Sequence, residues 1–181
     1  MTGRLRATAL APLIAALLLA ACAVVPRPRA GSEALSGRMT VRVEESATTA
    51  GRSVTAAFEL SGDAQQGTLA LSTPLGTTLA SARWQPGTVA LSTPEGESKH
   101  ADLASLTREM LGEELPVAAM FDWLRGRPWP GAASSPLAPP ADSGFSQLGW
   151  DISLAQFADA LVVARRRQKP PVTVRVKLDR P

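Results

Sequence analysis

From Met39 the apolar positions recur at every second residue. In RMTVRVE the side chains of Met39, Val41 and Val43 fall on one side and those of Thr40, Arg42 and Glu44 on the other, which predicts a strand with one dry face. SVTAAFEL repeats the pattern with Val54, Ala56, Phe58 and Leu60. TLAL, ending at Leu71, and TLASARW, starting at Thr78, flank a Thr-Pro turn as a hairpin, and TVAL from Thr88 leads into a second such turn. The period then changes. Asp102 can cap a helix with Leu103, Leu106, Met110 and Leu111 on one side, ended by Gly112. Pro116 can open another, where Val117, Met120, Phe121 and Leu124 follow helical spacing before Gly126. Both are too short to hold alone, so both must lie on the apolar face of the sheet. Arg127 to Gly144 reads as loop, and alternation returns in FSQLGWDISL and in VTVRVKL, with Val172, Val174, Val176 and Leu178 inward. Strands, a helical insert and strands again predict an α+β fold, with helices on one face of an antiparallel sheet.

Two of the turns nearly repeat each other. LSTPLG from Leu71 and LSTPEG from Leu91 differ only at Leu75 and Glu95, the wettest position of a Thr-Pro-x-Gly turn. Glutamate suits that position, and leucine does not. Two readings of Leu75 stand: a side chain folded back on the hairpin or simply exposed, or one buried in lipid with a gain of roughly 1.5–3 kcal/mol.

The beginning of the chain bears on that choice. Arg4 and Arg6 precede an apolar run from Ala7 to Leu18 and then Leu19-Ala20-Ala21-Cys22, the layout of a secretory signal peptide. The run is short for a membrane span. Its end resembles the bacterial lipobox, so residues 1–21 are expected to be removed between Ala21 and Cys22, with Cys22 acylated. Residues 22–32, with Pro26 and Pro28, read as a flexible tether, and residues 33–181 as one domain. Ala23 is not the aspartate that retains many such lipoproteins in the inner membrane, which points to the outer one. Losing Arg4 and Arg6 from 19 basic residues against 16 acidic ones leaves the mature chain nearly neutral, without the basic face of a nucleic-acid binder.

Candidate chemistry is sparse. His100 is the sole histidine, Cys22 the sole cysteine, and tyrosine is absent. A Ser-His-Asp arrangement would have to use His100, which otherwise reads as a solvated residue ahead of a helix, and no Gly-x-Ser-x-Gly elbow occurs. A zinc site lacks its ligands. No enzyme, metal or cofactor is expected. The run Arg165-Arg166-Arg167-Gln168-Lys169 reads as a turn before the last strand, either solvated or drawn to anionic headgroups. Trp84, Trp123, Trp129 and Trp150 fill a core or line a cavity.

The stretches LSGRMTVRV, GTLALSTPLGTTLASARWQPG, LTREMLGEELPVAAMFDWLRGRP and LGWDI, in this order behind a lipobox, carry a family resemblance. The chain resembles the LolB family, outer-membrane lipoproteins that receive other lipoproteins from the periplasmic carrier LolA. The resemblance implies an incompletely closed antiparallel β-barrel of about 11 strands with a lid of short helices over a hydrophobic cavity. It implies acyl chains of lipoprotein cargo as ligand, a LolA-like carrier and outer-membrane lipid as partners, and a monomer lipid-anchored in the outer membrane and facing the periplasm. The loop Pro74-Leu75-Gly76 matches the family's membrane-insertion loop. Cavity candidates chosen by face are Val41, Val43, Phe58, Leu69, Leu71, Val117, Met120, Phe121 and Leu124. The chain departs from the family in the tail VKLDRP, which lacks an aromatic, and at Leu154 and Phe157, where tyrosines are common. A scaffold lipoprotein of an outer-membrane assembly complex is the alternative, and an envelope hydrolase using His100 a further rival.

Overall fold

The computed structural model describes residues 34–45, 50–138 and 143–179. The expected signal peptide, Ala21, Cys22 and the tether lie outside the described residues. Eleven strands form one antiparallel sheet: β1 Leu35–Val43, β2 Arg52–Gly62, β3 Gly67–Ser72, β4 Thr78–Gln85, β5 Thr88–Thr93, β6 Gly96–His100, β7 Ser134–Pro136, β8 Gly144–Gln147, β9 Trp150–Ser153, β10 Leu161–Arg166 and β11 Val172–Leu178. Their spatial order is β6-β5-β4-β3-β2-β1-β11-β10-β9-β8-β7, so the first and last strands pair and the two edges stay open. This is a barrel that does not close.

Alternation sets the inward face. Met39, Val41 and Val43 on β1, Ala56, Phe58 and Leu60 on β2, and Val172, Val174 and Val176 on β11 are all buried, and the register brings Val41 opposite Val54 on one side and Val174 on the other. A slip of one residue would turn each of these sets to water, so the hydrophobic pattern pins the register. Two helices cover this face: α1 Leu103–Leu111 and α2 Val117–Trp123. At the start of α1, the Asp102 carboxylate accepts the Ser105 N–H at 2.7 Å while Ser105 Oγ lies 3.4 Å from the Asp102 N–H, a reciprocal cap. Gly112, at φ 75°, ends it in the left-handed region. α1 packs on β4, β5 and β6.

Two expectations need correction. The stretch from Arg127 to Gly144 is not all loop, because Ser134–Pro136 adds to the sheet as β7 on the edge of β8, where proline is tolerated. Arg165 and Arg166 do not lie in a turn; they end β10, paired with Thr173 and Val172, and the turn begins at Arg167. Consecutive charges hid a strand whose apolar part, Val162, Val163 and Ala164, is buried without alternation.

The strand directions define two rims. The turns after β1, β3, β5, β8 and β10 leave one rim, and those after β2, β4 and β9 leave the other, where β1 also enters the sheet.

Candidate functional site

Among the described residues, two narrow apolar crevices lie between lid and sheet. The first, about 370 Å³ of interatomic space with its mouth included, has Met39, Phe58, Leu60, Leu69 and Val176 as its floor and Leu111, Leu115, Val117, Met120 and Leu124 as its roof. Thr107 also lines it, but its hydroxyl donates to the Ala104 carbonyl and accepts the Leu115 N–H. The second, about 320 Å³, runs under α2 toward Trp123, Trp150, Val162, Ala164 and Val174. Leu115, Met120, Leu124 and Val176 border both. The pair forms an apolar track beneath α2 from β3 to β9. The described residues that line it present apolar surface, and any apolar chain that replaces water there gains about 0.8 kcal/mol per methylene.

The lid is pinned at the rim by one carboxylate. Glu113, in the link between α1 and α2, accepts from Arg166 on β10 at 2.8 Å and lies 3.4 Å from Arg52 on β2. Arg52 also donates to the Gly112 carbonyl, and the Arg166 guanidinium sits 5.6 Å from the centre of the Trp150 ring. The link is thus held from two strands that flank the β1–β11 pair.

At the same rim Leu75 stands clear of the protein, 95 % exposed. The loop that carries it is tightly made. Thr73 donates to the Thr77 carbonyl at 2.8 Å, the Thr77 N–H returns to Thr73 Oγ1 at 3.1 Å, and the Gly76 N–H reaches the Thr73 carbonyl at 2.9 Å. Pro74 restricts φ, and Gly76 adopts φ 87°, which a leucine in its place would resist. Beside it the register slips, with Leu71 opposite Ala80 but Ser72 opposite Thr78, so that Leu79 is an extra residue, 40 % exposed. The sister turn is built differently. Thr93 pairs directly with Gly96, leaving only Pro94 and Glu95 between β5 and β6. The Thr93 hydroxyl, and then the backbone N–H of Glu95 itself, hold the Glu95 carboxyl below the usual carboxylate range. Two nearly identical hexapeptides therefore give a projecting apolar loop and a short charged one.

His100 is not a solvated residue ahead of a helix: it ends β6, with 8 % of its side chain exposed. Ser98 Oγ lies 3.0 Å from its Nε2 and Glu109 Oε2 lies 3.5 Å from that same nitrogen. A relay needs serine and carboxylate on opposite ring nitrogens, so this cluster has the residue types of a triad without its geometry. Among the described residues, no group of three or more His, Cys, Asp or Glu could hold a metal ion, and no helix is long and apolar enough to cross a membrane.

Of the cavity residues expected from the sequence, Phe58, Leu69, Val117, Met120 and Leu124 line the first crevice. Val41, Val43, Leu71 and Phe121 line neither crevice and are packed in the core, where Phe121 meets Trp84 edge to face at 6.1 Å. Facing inward is necessary for a cavity residue but does not distinguish one met by a neighbour from one left uncovered. Met39, Leu60 and Val176 share inward faces already legible in the alternation, whereas Leu115 and the β10 residues carried no periodic signal. Trp123 and Trp150 do line the second crevice. Their setting is held by Gln147, which is buried and accepts from the Trp123 indole N–H at 2.7 Å and from the Trp129 backbone at 2.9 Å while donating to the carbonyls of Trp129 and Ala132.

Residues 34–180 match the protein family described as outer membrane lipoprotein LolB. The chain is 35 % identical to the outer-membrane lipoprotein LolB of Cupriavidus pinatubonensis over 185 residues, covering 98 % of this chain and 88 % of the relative. Against the proteins of the same name from Bordetella pertussis and Bordetella petrii the identities are 34 % and 32 %, each covering 91 % of this chain and 88 % of the relative.

Proposed function

The chain belongs to the LolB family of outer-membrane lipoproteins, and on that premise we propose that it takes acylated lipoproteins from a LolA-like periplasmic carrier, shelters their acyl chains under the α1–α2 lid and places them in the inner leaflet of the outer membrane beside Leu75. Residues 1–21 are the cleaved signal, Cys22 carries the lipid anchor, residues 22–32 are the tether, and residues 33–181 are the binding domain, which acts as a monomer. The observation that carries this reading is the apolar track beneath α2, bordered by Met120, Leu124 and Val176.

The physical need is plain. Exposing one long acyl chain to water costs on the order of 10 kcal/mol at ~0.8 kcal/mol per methylene, so cargo must pass between shelters without being released. The crevices are narrow with the lid down, and an incoming chain has to lift α2. Transfer makes and breaks no covalent bond and uses no cofactor; it runs down a gradient of affinity from carrier to this protein to bilayer. Pro74-Leu75-Gly76 is the insertion loop, and Leu75 supplies the last contact.

The anchor geometry is compatible with this. β1 enters the sheet at the rim opposite Leu75. Twelve residues, the number from 23 to 34, can span at most about 40 Å at 3.3–3.6 Å per residue. The nine residues of β1 rise about 30 Å. Anchor and loop can therefore engage one bilayer.

The test uses a soluble form without Cys22, lipoprotein-loaded carrier and liposomes. The native form should accept cargo and deliver it, while Leu75→Glu should accept and stall. Failure of both forms to accept cargo would remove this reading and favour a scaffold role.

A further inference from the structure

Among the described residues, four large apolar side chains are exposed: Leu75, Leu79, Leu148 and Phe157. The first three lie at one rim and only Phe157 at the other, so the exposure is not scattered. Leu148 has nothing to do with the insertion loop. It forms, with Gly149, the two-residue turn between β8 and β9, which leaves the same rim as Leu75 from the other half of the sheet.

Leu148 is costly where it stands. Its φ is 53° and that of Gly149 is 78°, the left-handed pair of a type I′ turn, in which asparagine, aspartate and glycine are the ordinary choices. Leucine has no short polar group to repay that conformation, and here it is also 47 % exposed, so it gains no full burial in return. The fold would be served better by asparagine. Its neighbours suggest what the leucine meets. The β8–β9 turn borders the β10–β11 turn, with a Gly149 Cβ position 4.0 Å from the Gln168 amide, and on either side of Gln168 stand exposed Arg167 and Lys169. Arg167 is 85 % exposed at its side chain while pairing with Asp151 at 2.6 Å, and at the end of this turn the Glu44 N–H reaches the Pro171 carbonyl at 2.9 Å.

We propose that Leu148, with Arg167 and Lys169 on the adjoining β10–β11 turn, is a second bilayer contact, which seats this rim on lipid headgroups together with Leu75. An apolar tip beside cations suits the interface between acyl chains and phosphates, where the leucine is dehydrated and the basic heads remain at headgroup level. The two contacts sit on separate halves of the sheet, so together they fix the tilt of the barrel mouth toward the membrane, which a single loop cannot do. The proposal rests on the membrane role of the rim given above, but it does not require Leu75 to be the insertion device.

The experiment measures sedimentation of the soluble form without Cys22 on phosphatidylcholine vesicles with and without phosphatidylglycerol, alongside thermal melts. Leu148→Asn should raise Tm by a few degrees, since it relieves the turn, and yet weaken vesicle binding about tenfold. Arg167→Gln with Lys169→Gln should abolish the preference for phosphatidylglycerol. If Leu148→Asn leaves vesicle binding unchanged while Leu75→Glu lowers it, this proposal is wrong and the Leu75 reading survives. If only Leu148→Asn lowers it, the joint seating with Leu75 is overturned, while the Leu75 reading still stands or falls on cargo delivery. Unchanged vesicle binding together with slower uptake from the loaded carrier would assign Leu148 to protein docking and overturn the lipid contact.

Discussion

Arg166 on β10 holds Glu113 of the helix link at 2.8 Å while its guanidinium lies over Trp150, so one arginine joins the lid to the wall of the second crevice. Both side chains are largely buried, and the Arg166 Nε has no partner among the described residues. Buried pairs of this kind are weak sources of net stability but costly to break from one side.

Glu113→Ala should therefore destabilise the protein by about 1–3 kcal/mol, discounted from the fully buried case for the remaining exposure. It should also free the lid. Hydrogen exchange at amides of α1 and α2 is expected to quicken more than at those of β1 and β11, and uptake of a fluorescent acyl chain to speed up. Uniform quickening across the sheet would mean that the pair supports the whole fold instead of the lid.

Met120 borders both crevices. Met120→Trp should fill the track and reduce acyl-probe binding at least tenfold with a stability change of about 1–3 kcal/mol, within the usual range for overpacking. Titration of the probe beside a thermal melt checks this; full probe affinity in the variant would place the ligand elsewhere.

The Asp102 carboxyl is held below its usual range, first by the Ser105 backbone N–H and then by the Ser105 hydroxyl. A folded-state value below the unfolded one means that the cap stabilises above the unfolded carboxylate range and that this contribution disappears as pH falls through the lowered value. Melts of the native chain and Asp102→Asn should differ at neutral pH and converge in acid. A gap that persists at pH 2 would separate the effect from ionisation.

The proposed anchoring at Cys22 requires residues 22–32 to be long enough for Cys22 and Leu75 to share a bilayer. Deleting residues 24–31 of the lipidated form should leave cargo acceptance intact and lower delivery, whereas the soluble form should be indifferent to the deletion. Cargo transfer from loaded carrier to liposomes distinguishes the two steps.

Much of the architecture was legible because period-two alternation is a local property. β1, β2 and β11 show their inward faces in the order of their residues, and Asp102 and Gly112 bracket α1 by the chemistry of their own side chains and backbone. β10 escaped because a strand buried on much of its length loses the alternation that would mark it, and its end carries Arg165 and Arg166. Gln147 escaped as well: nothing in QLGW announces that this amide will bind Trp123, Trp129 and Ala132 at once.

By itself the sequence determined which residues must leave water, and with LSTPLG it marked a leucine at the tip of a turn. Tertiary structure alone decided that this loop has five residues and its sister two, because register and the bulge at Leu79 depend on the strand opposite. It likewise decided that Phe58 and Val117 border empty space while Val41 and Phe121 are filled against neighbours. Hydrophobicity sorts side chains into inside and outside; a cavity is the part of the inside that no other side chain reaches, and that depends on how α2 lies across the sheet.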